Sequence, residues 1–400
     1  MRTIGSLCSG YGGLDSALPG TVAYVCDPEP AAALVLNAHY PDAPNHHDLK
    51  ALAWARTPVD VLTAGYPCTP FSGAGKRKGT DDPRHLWPWI AQGIGLSRPP
   101  LIFLENVRGH LSLGWDTVLL HLHELGYDVR WTLLRAADVG APHGRARVFA
   151  VCADRDSHRW EPSSRRPVAR IETGVLVEPE AGLFGSHPLP PGPNGHVPMW
   201  PAGLMVNGVV WEQQALLGEP RYQLLPTPTT DPASYNGHAR NLGTEALLLP
   251  TPRTTDANGA GEHGIGGLDL RTAVDLLPTP LAADAGTKRG SSSGNGLRNE
   301  SKRMGADGSR WGRYAAAVAR CEALTRPAPD PTEPTGKKSA QRLSPRFVEW
   351  IMMLPDGWVT GHELKRDAQL KLLGNGCVPA QAQVACGHLT VGLLARQVAA

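Results

Sequence analysis

Residues 1 to about 155 alternate between short apolar segments and amphipathic segments, and this alternation strongly limits the folds open to the chain. The apolar segments have the length and composition of buried strands: Ile4–Cys8, Val22–Cys26, Val59–Ala64, Leu101–Glu105, Val129–Leu134 and Val148–Ala153. Helical periodicity lies between them in Ala31–His39, His85–Leu96 and Trp115–Leu125. Strands that alternate with helices form a sheet covered on both faces. We therefore predict an α/β fold with a doubly wound, mostly parallel sheet.

The composition changes near residue 156, where proline, glycine, serine and threonine replace the long apolar segments. This composition continues to about residue 340 and predicts a separate, loop-rich unit. A helix with proline in its first turn is predicted directly after Ser344. The predicted domains are a first domain at 1–155, an insert at 156–340 and a C-terminal part at 341–400 that returns to the first domain.

The sequence Leu-Leu-Pro-Thr-Pro occurs three times in the insert, at 224–228, 248–252 and 276–280. An aspartate follows each copy: Asp231, Asp256 and Asp284. The copies start 24 and then 28 residues apart, which is too irregular for a solenoid. We interpret them as extended anchors whose leucines are buried, and the alternative is a low-complexity linker.

The cysteines favour a reducing compartment. Seven are scattered through the 400 residues, with no Cys-x-x-Cys pair: Cys8, Cys26, Cys68, Cys152, Cys321, Cys377 and Cys386. This pattern is typical neither of a disulfide framework nor of a zinc ribbon, so no metal is expected. No apolar run approaches the ~20 residues of a membrane span, and no basic N-terminal leader is apparent. We expect a cytoplasmic protein without a membrane partner.

Bulk charge says little about partners, since the net charge is only +2. Basic residues are nevertheless clustered at three places: Lys76-Arg77-Lys78; Arg165, Arg166 and Arg170; and Arg298, Lys302, Arg303, Arg310 and Arg313. Such patches suit contacts with phosphate, although a solvated surface is the commoner meaning of any one of them.

Cys68 is the most conspicuous candidate for chemistry. It follows the third apolar segment in Gly65-Tyr66-Pro67-Cys68-Thr69-Pro70. The two prolines prevent the strand from continuing and hold the chain in an extended turn, so the thiol is presented rather than packed. A thiolate is a strong nucleophile near neutral pH. A lone loop cysteine is commonly inert, but the motifs around Cys68 favour a nucleophile.

A glycine-rich loop follows the first strand in Leu7-Cys8-Ser9-Gly10-Tyr11-Gly12-Gly13-Leu14-Asp15 and opens a helix. Glycines allow a ligand close to the backbone, and a helix N-terminus offers free N–H groups. The spacing lacks the third glycine of the dinucleotide fingerprint, so a tight structural turn is the alternative.

Acidic residues follow the second strand and the first helix. Asp27-Pro28-Glu29 lies where doubly wound folds hold an acid for ribose hydroxyls, and Asp48, beside Leu49, is placed to accept from an adenine amino group. No phosphate-binding lysine accompanies them. An adenosine sulfonium cofactor such as S-adenosylmethionine fits this nucleoside site better than ATP.

Three further motifs lie later in the chain. Glu105 ends an apolar strand and can donate a proton to a ring nitrogen, although a glutamate at a strand end is more often an ion-pair partner. Arg145 and Arg147 alternate at a strand start and so point to one side, where they can bind a carbonyl or a phosphate. Gly374-Asn375-Gly376 forms a glycine turn before an apolar helix.

These motifs, in this order, resemble those of the DNA (cytosine-5)-methyltransferases. The resemblance covers about 1–153 and 341–395 and includes the glycine loop, Gly65-Tyr66-Pro67-Cys68, Glu105-Asn106-Val107, Arg145-x-Arg147 and the turn at 374–376. It implies a Rossmann-like fold that binds S-adenosylmethionine, and an insert at 156–340 that recognises the target sequence in double-stranded DNA.

The resemblance also implies roles for individual residues. Cys68 attacks C6 of a flipped cytosine, Glu105 protonates or hydrogen-bonds N3, and Arg147 and Arg145 hold the base carbonyl, the Cys68 loop or a phosphate. The implied cofactor-binding residues are Cys8, Gly10, Tyr11, Gly12, Gly13, Asp27, Pro28, Asp48, Leu49, Gly65, Pro67, Asn375, Gly376 and Cys377.

The chain departs from the family pattern at three positions. Cys8 stands where a phenylalanine usually packs against adenine, Pro28 replaces a large apolar residue, and His143 replaces a glutamine. The first two departures predict weaker cofactor binding. No catalytic residue is missing.

Two other functions are compatible with the motifs. A related branch methylates transfer RNA with the same cysteine and glutamate, but it is compact where this chain carries its long insert. A silent DNA-binding protein would not need Cys68, Glu105 and Arg147 together. We expect a monomer that acts in the cytoplasm on nucleoid DNA, with a restriction system as a candidate partner.

Overall fold

The structure is a computed structural model that describes residues 2–67, 86–161, 167–178, 189, 195–213, 277, 279–280, 297, 301, 310–335 and 339–395. Cys68, Lys76-Arg77-Lys78, Arg165, Arg166 and the first two Leu-Leu-Pro-Thr-Pro copies lie outside the described residues. The same holds for Arg298, Lys302, Arg303 and the three aspartates that follow the copies.

A ten-stranded sheet forms the centre of the molecule. Its strands are β1 (Thr3–Leu7), β2 (Thr21–Cys26), β3 (Val61–Ala64), β4 (Leu101–Val107), β5 (Tyr127–Arg135), β6 (Ala146–Asp154), β8 (Ala169–Glu172), β9 (Val175–Val177), β10 (Ala202–Val206) and β11 (Val209–Glu212). Two small sheets pair β7 (His158–Arg159) with β14 (Leu394–Ala395), and β12 (Thr332–Thr335) with β13 (Ala340–Leu343). All six predicted strands are confirmed, with ends that differ by a few residues.

The strand order is β2-β1-β3-β4-β6-β5-β10-β11-β8-β9. Strands β2, β1, β3 and β4 are parallel, and β6 runs antiparallel between β4 and β5. The pairings therefore give β5 the same direction as β4, so five of the first six strands run one way. This arrangement confirms the predicted mostly parallel sheet and brings the start of β6 to the edge where the parallel strands end.

Seven α-helices occur among the described residues: α1 (Pro30–His39), α2 (Trp87–Ser97), α3 (Trp115–Glu124), α4 (Ala315–Leu324), α5 (Pro345–Ile351), α6 (Arg366–Asn375) and α7 (Pro379–Leu389). Proline occupies the first turn of α1, α2, α5 and α7, where its missing N–H costs no helical hydrogen bond. The three helices predicted in the first domain and the helix after Ser344 are confirmed.

The sheet is buried on both faces because its side chains alternate. In β4, Ile102 and Leu104 belong to a cluster with residues of α2 and α3, whereas Leu101 and Phe103 belong to a cluster with residues of α7. A chain segment more than 200 residues downstream thus covers one face. Helix α7 of the C-terminal part thus packs against the sheet of the first domain.

The predicted boundary at residue 156 does not separate two sheets. β10 pairs antiparallel with β5, and β11, β8 and β9 extend the sheet further. The exposed edge of β5 offers unpaired N–H and C=O groups, so an apolar segment such as Ala202–Val206 is stabilised by joining it. Composition could not reveal this, because the joining strands are short and separated by loop-rich sequence.

The end of the insert also packs against the first domain. Tyr314 and Val318 of the α4 region share one hydrophobic cluster with Tyr11 and Val25 of the first domain and with Phe347 of the C-terminal part. No described helix is long and apolar enough to cross a membrane.

Candidate active site

A cavity of about 480 Å³ opens at the carboxyl edge of the parallel strands. Ligand sites in doubly wound sheets occupy this edge, and the volume lies within the range usual for small-molecule sites. Its lining includes Cys8, Gly10, Tyr11, Gly13, Asp27, Pro28, Gly65, Pro67, Glu105, Arg145, Arg147, Asn375, Gly376 and Cys377. One cavity thus brings together fourteen of the eighteen residues predicted for the site.

The glycine loop leads into a short 3₁₀ turn at Asp15–Ala17 rather than into the predicted helix. It is held against residues 374–377, where α6 ends; Gly374 and Asn375 lie in the last turn of α6, so the predicted glycine turn begins only at Gly376. Gly12 has φ +78°, a conformation that side chains resist. A Cβ on Gly376 would lie 1.8 Å from the Tyr11 ring, so only glycine permits this contact. The Tyr11 hydroxyl donates to the Cys377 carbonyl. Tyr11 is 1% exposed and joins two cavity walls, so its hydroxyl is occupied inside the protein.

The cavity thiols among the described residues are neutral. Burial, together with the charge of Asp27, raises the pKa of the Cys8 thiol far above its ordinary value. Burial raises the pKa of Cys377 well above its ordinary value too. Neither thiol is therefore available as a thiolate near neutral pH. Cys68 lies outside the described residues, and Pro67, its neighbour in sequence, lines the cavity.

Asp27 lies at the end of β2, in contact with the glycine loop. Its Oδ2 accepts from the Gly10 N–H at 2.9 Å and its Oδ1 accepts from the Glu29 N–H at 3.0 Å. Across the cavity mouth, Lys371 Nζ of α6 lies 2.8 Å from a Glu29 carboxylate oxygen. Both side chains are about half exposed. The first domain and the C-terminal part thus meet over the predicted ribose acid.

Gly12, Asp48 and Leu49 do not line this cavity. Asp48 Oδ1 accepts from the Lys50 N–H at 2.9 Å and caps a short 3₁₀ helix, while Leu49 is packed in the core. The adenine contact assigned to Asp48 stays a prediction.

Glu105 and Arg147 form an ion pair at the base of the cavity. Arg147 Nε lies 2.8 Å from Glu105 Oε1, and their side chains are 14% and 12% exposed. The register of β4 against β6 pairs Val107 with Arg147, so the reversed strand delivers the arginine to the end of β4. A Cβ on Gly65 would lie 3.4 Å from Glu105 Oε2, so the Gly-Tyr-Pro-Cys segment passes close to the carboxylate.

The segment that precedes Cys68 is fixed by buried hydrogen bonds that sequence reasoning missed. Asn106 Nδ2 donates to the Tyr66 carbonyl at 3.2 Å. His110 Nδ1 lies 2.9 Å from the Leu113 carbonyl and its Nε2 lies 2.8 Å from the Tyr66 hydroxyl. Since a carbonyl only accepts, Nδ1 carries the proton and Nε2 accepts from tyrosine.

Asp15 is a second cavity residue that sequence reasoning missed. It is 2% exposed, accepts from Ser6 Oγ at 2.6 Å and accepts from Thr63 Oγ1. Burial raises its pKa, while the two hydroxyl donors oppose that shift. The signal in the sequence was Ser6 in β1 and Thr63 in β3, each a polar residue inside an apolar strand. A buried hydroxyl needs a hydrogen-bond partner, and here Asp15 is the partner of both.

The role predicted for Arg145 at the base carbonyl stays a prediction, and the structure shows other contacts for its side chain. Its guanidinium is 3% exposed and donates to the backbone carbonyls of Gly374 at 3.1 Å, Gly376 at 2.7 Å and Pro280 at 3.2 Å. Burial, with the neighbouring Arg147 charge, lowers its pKa to about 10, so the group stays charged near neutral pH. Arg145 holds backbone segments together, whereas Arg147 pairs with the Glu105 carboxylate.

His143 joins the start of β6 to α5. Its Nε2 donates to the Ile351 carbonyl at 3.0 Å, and its Nδ1 accepts from the Arg145 N–H at 3.4 Å. The ring is fully buried, and burial followed by the charge of Arg145 lowers its pKa to about 3. The neutral ring therefore both donates and accepts a hydrogen bond at this position.

His143 makes the stability of the protein sensitive to acid. The unfolded ring takes up a proton near pH 6.5, whereas the folded ring stays neutral to about pH 3. In that interval the unfolded state binds more protons, so the free energy of unfolding falls by up to about 1.4 kcal/mol per pH unit of acidification. We expect His143→Gln to lack this loss, as measured by urea unfolding at pH 7.5, 6 and 5. Equal pH dependence of both proteins would contradict the assignment.

No group of three or more histidine, cysteine or acidic side chains among the described residues could hold a metal ion.

Comparison with known proteins supports the arrangement. Residues 2–177 match the family model for C-5 cytosine-specific DNA methylases. Type II methyltransferase M.NgoMIV of Neisseria gonorrhoeae is 37% identical over 137 residues, which are 32% of this chain and 44% of that protein. M.NaeI of Lentzea aerocolonigenes is 43% identical over 98 residues, 23% of this chain and 24% of that protein.

A third relative, Type II methyltransferase M.NlaIV of Neisseria lactamica, is 37% identical over 134 residues, 30% of this chain and 32% of that protein. The matches thus span less than half the length of each of these relatives. The resemblance predicted from the motifs is confirmed by these matches. The family model covers residues 2–177, and the cavity residues at 368–377 lie outside it.

Proposed function

We propose that the chain transfers a methyl group from S-adenosylmethionine to C5 of cytosine in double-stranded DNA. The observation that carries this proposal is a single cavity lined by the glycine loop, Asp27, the segment preceding Cys68 and the Glu105–Arg147 pair. Groups suited to a nucleoside cofactor and groups suited to a pyrimidine base thus share one space.

The cavity residues fit a sulfonium nucleoside. Asp27 supplies carboxylate oxygens that can accept from ribose hydroxyls, and Gly10 leaves room for a ligand beside the loop, with nothing within 4 Å of a Cβ built there. Asp15 and Glu105 add carboxyl groups that complement a positively charged sulfur. When bound, S-adenosylmethionine supplies the electrophilic methyl group. The predicted weakening by Cys8 and Pro28 stays a prediction.

The protein's own residues then have separate roles in the reaction. The Cys68 thiolate adds to C6 of cytosine, and Glu105 hydrogen-bonds or protonates N3, so that the electron pair of the C5–C6 bond can attack the methyl group. Arg147 orients the Glu105 carboxylate, and Tyr66, held by Asn106 and His110, positions the cysteine turn. A base removes the C5 proton, and elimination expels Cys68 as thiolate. A cytosine stacked in a duplex is inaccessible, so it is flipped into the cavity.

The insert at 156–340 is proposed to read the target sequence through side chains in the major groove. The basic patches within it suit phosphate contacts. A restriction nuclease of the same specificity is the proposed partner system.

Methyl transfer is tested with labelled S-adenosylmethionine, using duplex DNA and transfer RNA as separate acceptors, followed by bisulfite sequencing. We expect label in DNA and protected cytosines at one sequence context. Label only in transfer RNA would assign the protein to the RNA-modifying branch. Binding of DNA without label in either acceptor would indicate a silent DNA-binding protein.

The covalent step is tested with 5-fluorocytosine at the identified target. Fluorine cannot leave C5 as a proton does, so the enzyme is expected to stay bonded to DNA when S-adenosylmethionine is present. Denaturing gel electrophoresis would show the adduct, and omission of the methyl donor provides the control. A complex that dissociates fully in denaturant would contradict the route through Cys68.

A further inference from the structure

The third Leu-Leu-Pro-Thr-Pro copy is the copy whose contacts the structure describes, through Leu277, Thr279 and Pro280. Leu277 is 2% exposed and belongs to a hydrophobic cluster that also contains Tyr11 and Phe347. Its N–H donates to the Pro142 carbonyl at 2.7 Å, and it forms a parallel bridge with His143. The interpretation of this copy as an anchor is confirmed for Leu277.

The carbonyl groups of the third copy complement the hydrogen-bond donors at the start of β6, where this copy docks. Proline has no N–H, so a Pro-Thr-Pro segment presents mainly carbonyl acceptors. Arg145 has only donors, and it donates to the buried Pro280 at 3.2 Å. An extended, proline-rich segment also loses little conformational entropy on docking.

Arg145 connects this seat to the cofactor side of the cavity. The same guanidinium donates to the carbonyls of Gly374 and Gly376, which line the cavity. Gly376 lies against Tyr11 so closely that no Cβ fits, and Tyr11 belongs to the glycine loop. A change where Leu277 and Pro280 dock can therefore affect two walls of the cofactor site through one buried side chain, that of Arg145.

We propose that the third Leu-Leu-Pro-Thr-Pro copy couples the target-recognition insert to the cofactor site, with Arg145 as the positioning residue. Docking of Leu277 and Pro280 fixes the guanidinium, and the guanidinium fixes the turn at 374–376. Affinity for the cofactor then depends on the insert, although the insert supplies none of the predicted cofactor contacts. The coupling rests on the proposed function in two respects, the identity of the cofactor and the target-recognition role of the insert.

The chain provides matched controls, because Leu225 and Leu249 hold the position of Leu277 in the other two copies. Isothermal calorimetry with S-adenosylhomocysteine compares Leu277→Ala, Leu225→Ala and Leu249→Ala. We expect the Kd of Leu277→Ala to rise at least about fivefold, a typical coupling factor, and the other two to stay within about twofold. Equal Kd values for the three variants would overturn the proposal.

Loss of stability is separated from coupling by Val318→Ala in α4, which removes a buried group from the same hydrophobic cluster. We expect it to lower the melting temperature without changing the Kd. Arg145→Lys keeps the positive charge but loses the planar guanidinium group. We expect its Kd for S-adenosylhomocysteine to rise about as much as that of Leu277→Ala. When Leu277→Ala is combined with Arg145→Lys, the Kd should rise little further, because both substitutions break the same connection between the docked copy and residues 374–376. Fully additive effects would contradict the role of Arg145.

Hydrogen exchange at residues 374–378 tests the coupling without any cofactor. We expect faster exchange in Leu277→Ala and Arg145→Lys than in the two control leucine variants. Absence of S-adenosylhomocysteine binding in every variant would contradict the proposed cofactor, whereas unchanged exchange at 374–378 would contradict the coupling itself.

Discussion

Cys68→Ser is expected to lower the rate of methyl transfer by at least about 10³-fold, because the variant lacks the group that forms the covalent bond. A serine hydroxyl is far less acidic than a thiol, and a neutral hydroxyl adds poorly to C6 of the ring. DNA affinity is expected to stay within about tenfold, since the substitution changes a single atom. Single-turnover assays with labelled S-adenosylmethionine and gel-shift titrations measure the two quantities separately.

Cys386→Ser is the matched control for this substitution. Cys386 lies in α7, is partly buried and does not line the cavity, so methyl transfer is expected to stay near the wild-type rate. A Cys68→Ser variant that kept more than a few per cent of wild-type turnover would show that Cys68 is not the nucleophile.

Glu105→Gln is expected to lower kcat by roughly 10²–10⁴-fold, the range for loss of a general acid. Glutamine has nearly the same shape, which matters because the backbone at Gly65 passes close by: a Cβ built there would lie 3.4 Å from Oε2. It removes the carboxyl group that pairs with Arg147 and that is proposed to protonate N3. Since Glu105 is assigned to the base, the Kd for S-adenosylhomocysteine is expected to change less than about threefold, well below a typical coupling factor.

Arg147→Met completes the test of the pair. If Arg147 acts by orienting Glu105, the double variant should be about as slow as Glu105→Gln alone, because the two residues act as a unit. The exposed Glu363→Gln serves as a control for loss of a surface carboxylate. A drop of less than about tenfold for Glu105→Gln would be too small for a general acid and would contradict that role.

The motif residues were predictable because strand ends can be recognised in sequence. Val61–Ala64 and Leu101–Val107 are apolar runs that end in the functional segments, and parallel strands bring such ends to one edge. Asp27 was predictable for the same reason. Asp15 and His110 were not, because a buried polar residue is recognised only when its partners are known.

The role of Arg145 shows why residue type and spacing were insufficient. Arg145 and Arg147 have the same side chain and alternate on one strand, so the sequence predicts one role for both. Their surroundings separate them: Arg145 meets three backbone carbonyls, whereas Arg147 meets a carboxylate. The partners of Arg145 lie more than 130 positions away along the chain, so local sequence does not reveal this difference.

Local sequence by itself determined the six strands and three helices of the first domain and the chemistry available at each strand end, because hydrophobic periodicity and proline or glycine turns act over a few residues. Only the tertiary structure decided which ends meet. The reversal of β6 places Arg147 beside Glu105, and β10 joins the edge of β5 across about 70 residues. The third Leu-Leu-Pro-Thr-Pro copy likewise meets Arg145 through long-range backbone pairing. Long-range pairing depends on which edges and donors remain unsatisfied after the local elements form, and a linear pattern does not contain that information.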